Sequence, residues 1–472
     1  MIRLLPIVLI GALTLAPAFA DNLDPSRLDG CRTDIDGDGD TDLADLAELL
    51  SVYSLTSGEP GFIEAADFDD NGVIDLSDLA ELLSEYGCVG AVQVERMQFT
   101  GASFVNVAHD CASGNCSNYG TPHWLDANLD GDTEDPGDRA YPAAYVRGGY
   151  VSITNLRFGV SSDDLELTDV PVLGAGPDGL IFEGTGSVSG GVLTVAGTLQ
   201  SNTTLPDVVA CYDTFDIAWE AALDGATFFP AGVSSNRMYV TLDDPLGRRL
   251  ESFFDISTRA AHGADSVQSA IAALWAGFAD LHVENVRGEV LGYYRGVLCA
   301  SDCTVYEAQG LVMYLNGQCG SWADLLMQCL RTLGISGSEW ITIEPIIYNH
   351  GLLVRTYKFD GVGTSGCSSL PYTFNSPCGG PYWPDDPECT DDVGLAGQDN
   401  PNPASYFSRH FIVQIDGRFY DPSYGAGPFT GTTNEANLAW EQAGIDGYHG
   451  YCGYYHAART DIYQNRETEF IY

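Results

Sequence analysis

The sequence predicts a multidomain chain in three parts: a small α module built on two acidic loops, a β-sandwich, and an α+β domain with a cysteine at a helix start. Three observations predict it. Two Asp-rich segments, each followed by Leu-Ala-Glu-Leu-Leu, recur 33 residues apart. From Ala91 to about Arg259, β-prone runs are punctuated by Gly, Ser, Asp and Asn, the pattern of a sandwich or jelly roll. Beyond that, Cys319 stands before an apolar helical run, and a histidine and an aspartate follow on a hairpin pattern.

A chain of 472 residues predicts more than one domain, and a hydrophobic share of 45% is enough for a sizeable core. The formal net charge of -46 is extreme, and Lys358 is the sole lysine. Such a chain repels nucleic acid and anionic membranes. Residues 1–20 have the form of a signal peptide, with Arg3, an apolar run from Leu4 to Leu15, and the small-residue site Ala18-Phe-Ala20. That run is too short to span a membrane, so a secreted, extracellular or periplasmic protein is expected. Thirteen cysteines fit an oxidising compartment, and the odd count leaves at least one thiol without an intramolecular partner.

The first repeated segment runs from Asp34 to Asp45 and the second from Asp67 to Asp78. Alternate oxygen donors at this spacing suit Ca²⁺, a hard cation that takes six to eight oxygens. The donors in loop one are Asp34, Asp36, Asp38, the backbone of Asp40, Asp42 and Asp45. In loop two they are Asp67, Asp69, Asn71, the backbone of Val73, Asp75 and Asp78, with Gly39 and Gly72 at the sharp turns. Cys31 and Cys88 flank the unit and could clamp it. The duplicated loop–helix unit with Asp at position twelve, over residues 27–90, resembles the type I dockerin domain. The resemblance implies two structural Ca²⁺ ions and docking onto a cohesin-like module of another protein. It places recognition near Leu43-Ala44 and Leu76-Ser77, which are more apolar than the Ser/Thr pairs common in the family. A calcium module without a partner is the plainer alternative.

Strands are predicted in the middle region at Val92–Thr100, Ala144–Val160, Leu180–Thr185, Val192–Leu199, Tyr212–Trp219 and Arg237–Leu242. Asp126, Asn128, Asp130, Asp132 and Glu134 repeat calcium-loop spacing, but Gly137 stands at the twelfth position. A third Ca²⁺ and a solvated acidic turn are both open. Cys111 and Cys116 are placed for a local bridge, and Cys211 has no obvious partner. No catalytic constellation stands out in this region.

In the C-terminal region, a helix is predicted over Asp265–His282, and Cys299 and Cys303 suit a bridge better than a metal. Ser321 and Asp324 read as a capping box for the helix after Cys319. A cysteine at a helix N-terminus has a favoured thiolate. Cys329 is not its bridge partner, because ten helical residues at about 1.5 Å each put it roughly 15 Å away, while a disulfide needs Cα atoms within about 7 Å.

Asp416-Gly417 is a two-residue hairpin signal. Closing the turn there pairs Ile415 with Arg418, Val413 with Tyr420 and Ile412 with Asp421. His410 then shares a face with Asp421 as a diagonal neighbour, and a slip of one residue would separate them. The motif Gly317-Gln-Cys319-Gly-Ser-Trp-Ala, with His410 and then Asp421-Pro-Ser, is similar to the transglutaminase-like superfamily, which has a papain-like α+β core. The resemblance covers about residues 260–465 of a domain bounded at 260–472. It implies Cys319 as nucleophile, His410 as base and then acid, and Asp421 as its orienter. The expected target is an amide or peptide bond, attacked through a thioacyl intermediate that water or an amine resolves. Gln318 and Asn316 are candidates for a second oxyanion donor beside the Cys319 N–H.

The segment from Tyr348 to Ser405 is long for a loop and reads either as a disulfide-pinned lid or as a surface excursion. Two rival functions stand beside the enzyme. One is a non-catalytic binding or scaffold protein. The other is an accessory component of a polysaccharide-degrading extracellular assembly, although no paired carboxylates argue for glycoside hydrolysis.

Overall fold

A computed structural model of the chain describes residues 33, 35, 41, 43–69, 71–86, 92–129, 131, 133–161, 165–223, 225–294, 307–345, 351–353, 358–359, 362–363, 375–376, 380–381, 396–401, 406–407, 409–430, 447–450, 453–456 and 462–467. The signal-like residues 1–20 and seven of the cysteines expected in bridges (Cys31, Cys88, Cys299, Cys303, Cys367, Cys378 and Cys389) lie outside the described residues. The described chain is β-rich and divides among several separate apolar cores.

The first core is small. Helix α1 (Leu43–Ser51) and helix α2 (Leu76–Glu85) bury Leu49, Val52, Ala66, Ile74 and Leu82 between them. Asp75 is the N-cap of α2: it accepts from the Ser77 N–H, and Asp78 closes a capping box. Equivalent leucines and tyrosines of the repeat face outward. Leu43 and Leu76 are 66% and 68% exposed, and Leu50, Leu83, Tyr53 and Tyr86 are exposed as well.

The middle region is one twelve-stranded, mostly antiparallel sheet. Its path runs Phe104–Val105, Ala143–Val146, Phe229–Thr241, Ala210–Ala221, Leu167–Ala175, Ile181–Ser189, Thr198–Thr204, Tyr150–Val160, Val92–Thr100, Trp124–Leu125 and Arg139–Ala140. The strand Val192–Val195 pairs off this path with two of them. A sandwich of two separately bonded sheets is therefore not what forms. The long strands Tyr150–Val160 and Ala210–Ala221 each bond two main-path neighbours, so hydrogen bonding continues from one side to the other. Register shifts along them bend the sheet, and Val92–Thr100 comes to lie against Phe229–Thr241 without bonding to it. Trp219, Phe158, Phe182 and Phe215 fill the interior.

The third core surrounds the cysteine helix. Helices α3 (Glu251–Ala260), α4 (Val267–Ala279), α5 (Ala308–Tyr314) and α6 (Cys319–Thr332) contribute Phe253, Leu274, Phe278, Leu311, Trp322, Leu326 and Leu330. The predicted helix near Asp265–His282 is thus α4, started by a Ser266–Ser269 capping box. Nearly every residue of α6 is buried, so it is a central helix rather than an amphipathic surface one. It packs on an antiparallel sheet with the order Ala426–Phe429, Arg418–Asp421, His410–Ile415, Ser338–Pro345 and Ile462–Glu467.

The hairpin in that sheet has the expected register: Val413 pairs with Tyr420, Gln414 with Phe419 and Ile415 with Arg418. Asp416 and Gly417 have φ of 47° and 75°, the left-handed pair that a tight two-residue hairpin turn needs. Gly417→Val puts a β-branched residue into that region. It is expected to lower stability by about 1 to 2 kcal/mol, read as a lower midpoint in urea unfolding. An unchanged midpoint would show that the turn does not hold the hairpin.

Candidate functional site

The residues expected to act together are brought together. Cys319 is the first residue of α6, with Gln318 as its N-cap, and is 3% exposed. The close approach of chain and helix requires Gly317: a Cβ there would lie 2.4 Å from Ser321 Oγ. His410 opens its strand opposite Ile343, and Asp421 closes the next. The His410 Nε2 lies 2.7 Å from Asp421 Oδ2, and both side chains are fully buried. The second oxygen of Asp421 accepts from the Ser423 N–H at 3.2 Å. This arrangement commits Nε2 to the carboxylate, and the Cys319 side chain lies near enough to the ring to favour its protonated form.

Burial alone would lower the His410 pKa. The charge and hydrogen bond of Asp421, joined by the contact with Cys319, outweigh it and push the value up to about 10 from its ordinary 6.5. The ring therefore binds a proton tightly, as a base that takes one from a thiol at a helix N-terminus must.

Two predicted details differ. Ser321 and Asp324 do not form a capping box, because α6 starts earlier, at Cys319. The Ser321 hydroxyl donates to the Gln318 carbonyl at 3.0 Å. Asp324 instead accepts from the Ala308 N–H at 2.7 Å, capping α5, and from Gln328 at 3.0 Å. Burial raises the Asp324 pKa against these two bonds. Cys329 is buried and unbridged, and burial raises its thiol pKa. Cys111 and Cys116 do form a bridge, while Cys211 is free.

Sequence reasoning missed Tyr293, Tyr424 and Gln398. Tyr424 lies 5.9 Å from the His410 ring and 5.2 Å from the Tyr293 ring. Gln398 is fully buried, donating to the carbonyls of Phe278 and Pro422 at 2.7 and 2.8 Å. The part of the long 348–405 segment around Gln398 is therefore threaded beside the site rather than spread over the surface. No local pattern marks Tyr293, since its strand, Gly292–Tyr293, is too short to carry periodicity.

Of the acidic loops, Asp34, Asp36, Asp38, Asp40 and Asp42 lie outside the described residues. Asp45 is buried, and its Oδ1 accepts from the Ile35 N–H at 2.6 Å. Loop two repeats that bond, from the Phe68 N–H to Asp78 Oδ1 at 2.8 Å. Carboxylate oxygens of Asp67, Asp69 and Asp78 lie within 4.8 Å of one another. Asn71 and Gly72 donate backbone N–H groups to Asp67, Val73 donates its own to Asn71 Oδ1, and Asp75 caps α2. In the third loop Asp126 is buried and accepts from the Leu129 and Gly131 N–H groups at 2.6 and 2.8 Å, and Asn128 bonds Asp135. Asp138, not Gly137, takes the closing place, accepting from the Ala127 N–H at 2.8 Å as Asp78 does from Phe68. Asp130 and Asp132 lie outside the described residues. No helix among the described residues is long and apolar enough to cross a membrane.

Comparison with models of known protein families and with curated proteins finds no match.

Because the folded chain holds the His410 proton more tightly than the unfolded chain, this contribution to stability is complete below about pH 6.5. It is lost as the pH rises through about 10. The free energy of unfolding is therefore expected to decline across that window, and to decline less steeply in Asp421→Asn. Equal slopes for the two proteins in urea titrations from pH 6 to 10.5 would sink the assignment.

Proposed function

We propose that this protein is an exported cysteine hydrolase or acyltransferase of transglutaminase-like type that acts on amide or peptide bonds. The observation that carries the proposal is the buried His410–Asp421 pair set beside a cysteine at the first position of a helix. Cys319 gives its proton to His410 and attacks the carbonyl carbon. The S–C bond forms, and the oxyanion is met by the N–H groups at the start of α6. His410 then returns the proton to the amine as the C–N bond breaks, which leaves a thioacyl enzyme. Water or a second amine, deprotonated by His410, resolves it. Asp421 holds the imidazole with Nε2 engaged and stabilises its charged form.

The same reading takes the acidic loops as Ca²⁺ sites. Loop two offers carboxylates and an Asn oxygen of the hard-donor kind that Ca²⁺ selects. The ions would relieve mutual repulsion in a chain of net charge -46. The repeated outward-facing residues, led by Leu43 and Leu76, are the surface on which a cohesin-like partner module would dock.

A non-catalytic binding or scaffold role is favoured by one observation, the 3% exposure of Cys319. Iodoacetamide separates the two readings. Under non-reducing, calcium-replete conditions the enzyme reading expects faster alkylation at Cys319 than at Cys329, slowed at least tenfold by His410→Ala. Recovery of Cys319 unlabelled or in a disulfide rejects it.

For the loops, calorimetric titration of the chelator-treated protein is expected to give at least two Ca²⁺ per chain, and one fewer in Asp78→Ala. An unchanged stoichiometry in that variant would remove loop two as a site.

A further inference from the structure

The Tyr293 hydroxyl is buried and has no well-formed hydrogen bond, although it stands beside the phenol of Tyr424. An unsatisfied buried hydroxyl is costly, and native structures seldom keep one without use. The residue is not loosely held. Its N–H donates to the Gln398 carbonyl at 2.8 Å, and its carbonyl accepts from Asn400 at 2.8 Å. Its strand runs parallel to Asn316–Gly317 and sets Tyr293 opposite Gly317, two positions before Cys319. The ring packs edge-on against Tyr424, which in turn packs on His410, and all of these phenols share one core with Cys319. Burial first, then the neighbouring Tyr424, Cys319, Tyr294 and Asp421, keeps the Tyr293 phenol protonated. It is therefore a protonated donor, rigidly placed at the edge of the site beside the Tyr424 ring.

We propose that Tyr293 donates a hydrogen bond to the Cys319 thiolate once the thiol proton has moved to His410. This rests on the thiol chemistry proposed above. The S–H bond breaks, the proton is held on the imidazole, and the phenol keeps its own proton while turning it toward sulfur. The acceptor that Tyr293 lacks at rest is thus the one that activation creates. A phenol that only filled space would leave the thiol's titration unchanged.

The test compares the unsubstituted protein with Tyr293→Phe, which keeps the ring and removes the donor. The rate of iodoacetamide alkylation at Cys319 is mapped by peptide mass spectrometry from pH 5 to 10, with Cys211 and Cys329 as internal references. Thiolate absorbance, taken as the difference from Cys319→Ser, gives a second readout that needs no access to the site. The midpoint of both profiles is expected to rise by about one unit in Tyr293→Phe, which corresponds to about a tenfold change in the thiol equilibrium. If the thermal midpoint shows that Phe unsettles the fold, Tyr293→Met fills the space without a donor and is read in the same way. Superimposable profiles overturn the inference and leave the proposed function standing. Absence of thiolate below pH 8 in the unsubstituted protein overturns the thiol chemistry and this inference with it.

Discussion

The 2.7 Å bond between His410 and Asp421 is the constraint around which the C-terminal part is built. A carboxylate removed from water is tolerated only when it is paired and its remaining oxygen is satisfied. Asp421 meets both conditions, through the imidazole and the Ser423 N–H. These bonds fix the hairpin at its open end, while Asp416-Gly417 fixes it at the closed end. Between them the ring has little freedom. Cys319, the first residue of α6, lies near the ring, and the dipole of that helix favours negative charge at its start.

The rest of the fold supports α6 from both ends. At its start, Gly317 admits the Ser321 hydroxyl, and the pair of short strands joins Gly292–Tyr293 to Asn316–Gly317. Further along, Asp324 reaches out to cap α5, and Gln328 bonds Asp324 while lying close to Gly247. Arg248, at the end of the β region, pairs with Glu307 and with Gln309 of α5. Gln309 in turn donates to the Gly114 carbonyl within the bridged loop Cys111–Cys116. The large sheet is therefore attached to the helices that carry the site, and Phe253 and Leu250 of the connection lie in the same core as Trp322.

The N-terminal module follows a different logic. Its core is small, and two of its aspartates, Asp45 and Asp78, are fully buried. Each accepts from the backbone at the second position of its own loop, so the loops are closed in the same way. The acidic loop in the β region uses that closure too, with one residue inserted so that Asp138 replaces Gly137. Loop closure by a distant carboxylate is thus a repeated device in this chain, on helical and β scaffolds alike.

Local chemistry determined much of this. The 33-residue repeat, the helix beginning near Cys319, and the hairpin about Asp416-Gly417 are set by spacing and by turn residues with specific φ requirements. The hairpin register then determined that His410 and Asp421 share a face. Other features depended on contacts between distant segments, to which local patterns are blind. Strand order made one curled sheet where two were expected, because the long strands bond neighbours on both edges. The cap of α5 comes from α6, so Asp324 could not be told from a cap of its own helix. Tyr293 enters the site from a two-residue strand that exists only because Asn316–Gly317 pairs with it. The sequence by itself determined that a cysteine at a helix start and a histidine and an aspartate on one hairpin face could come together. Only the tertiary structure decided that Cys319, His410 and Asp421 are all buried, because burial is a property of the whole packed chain.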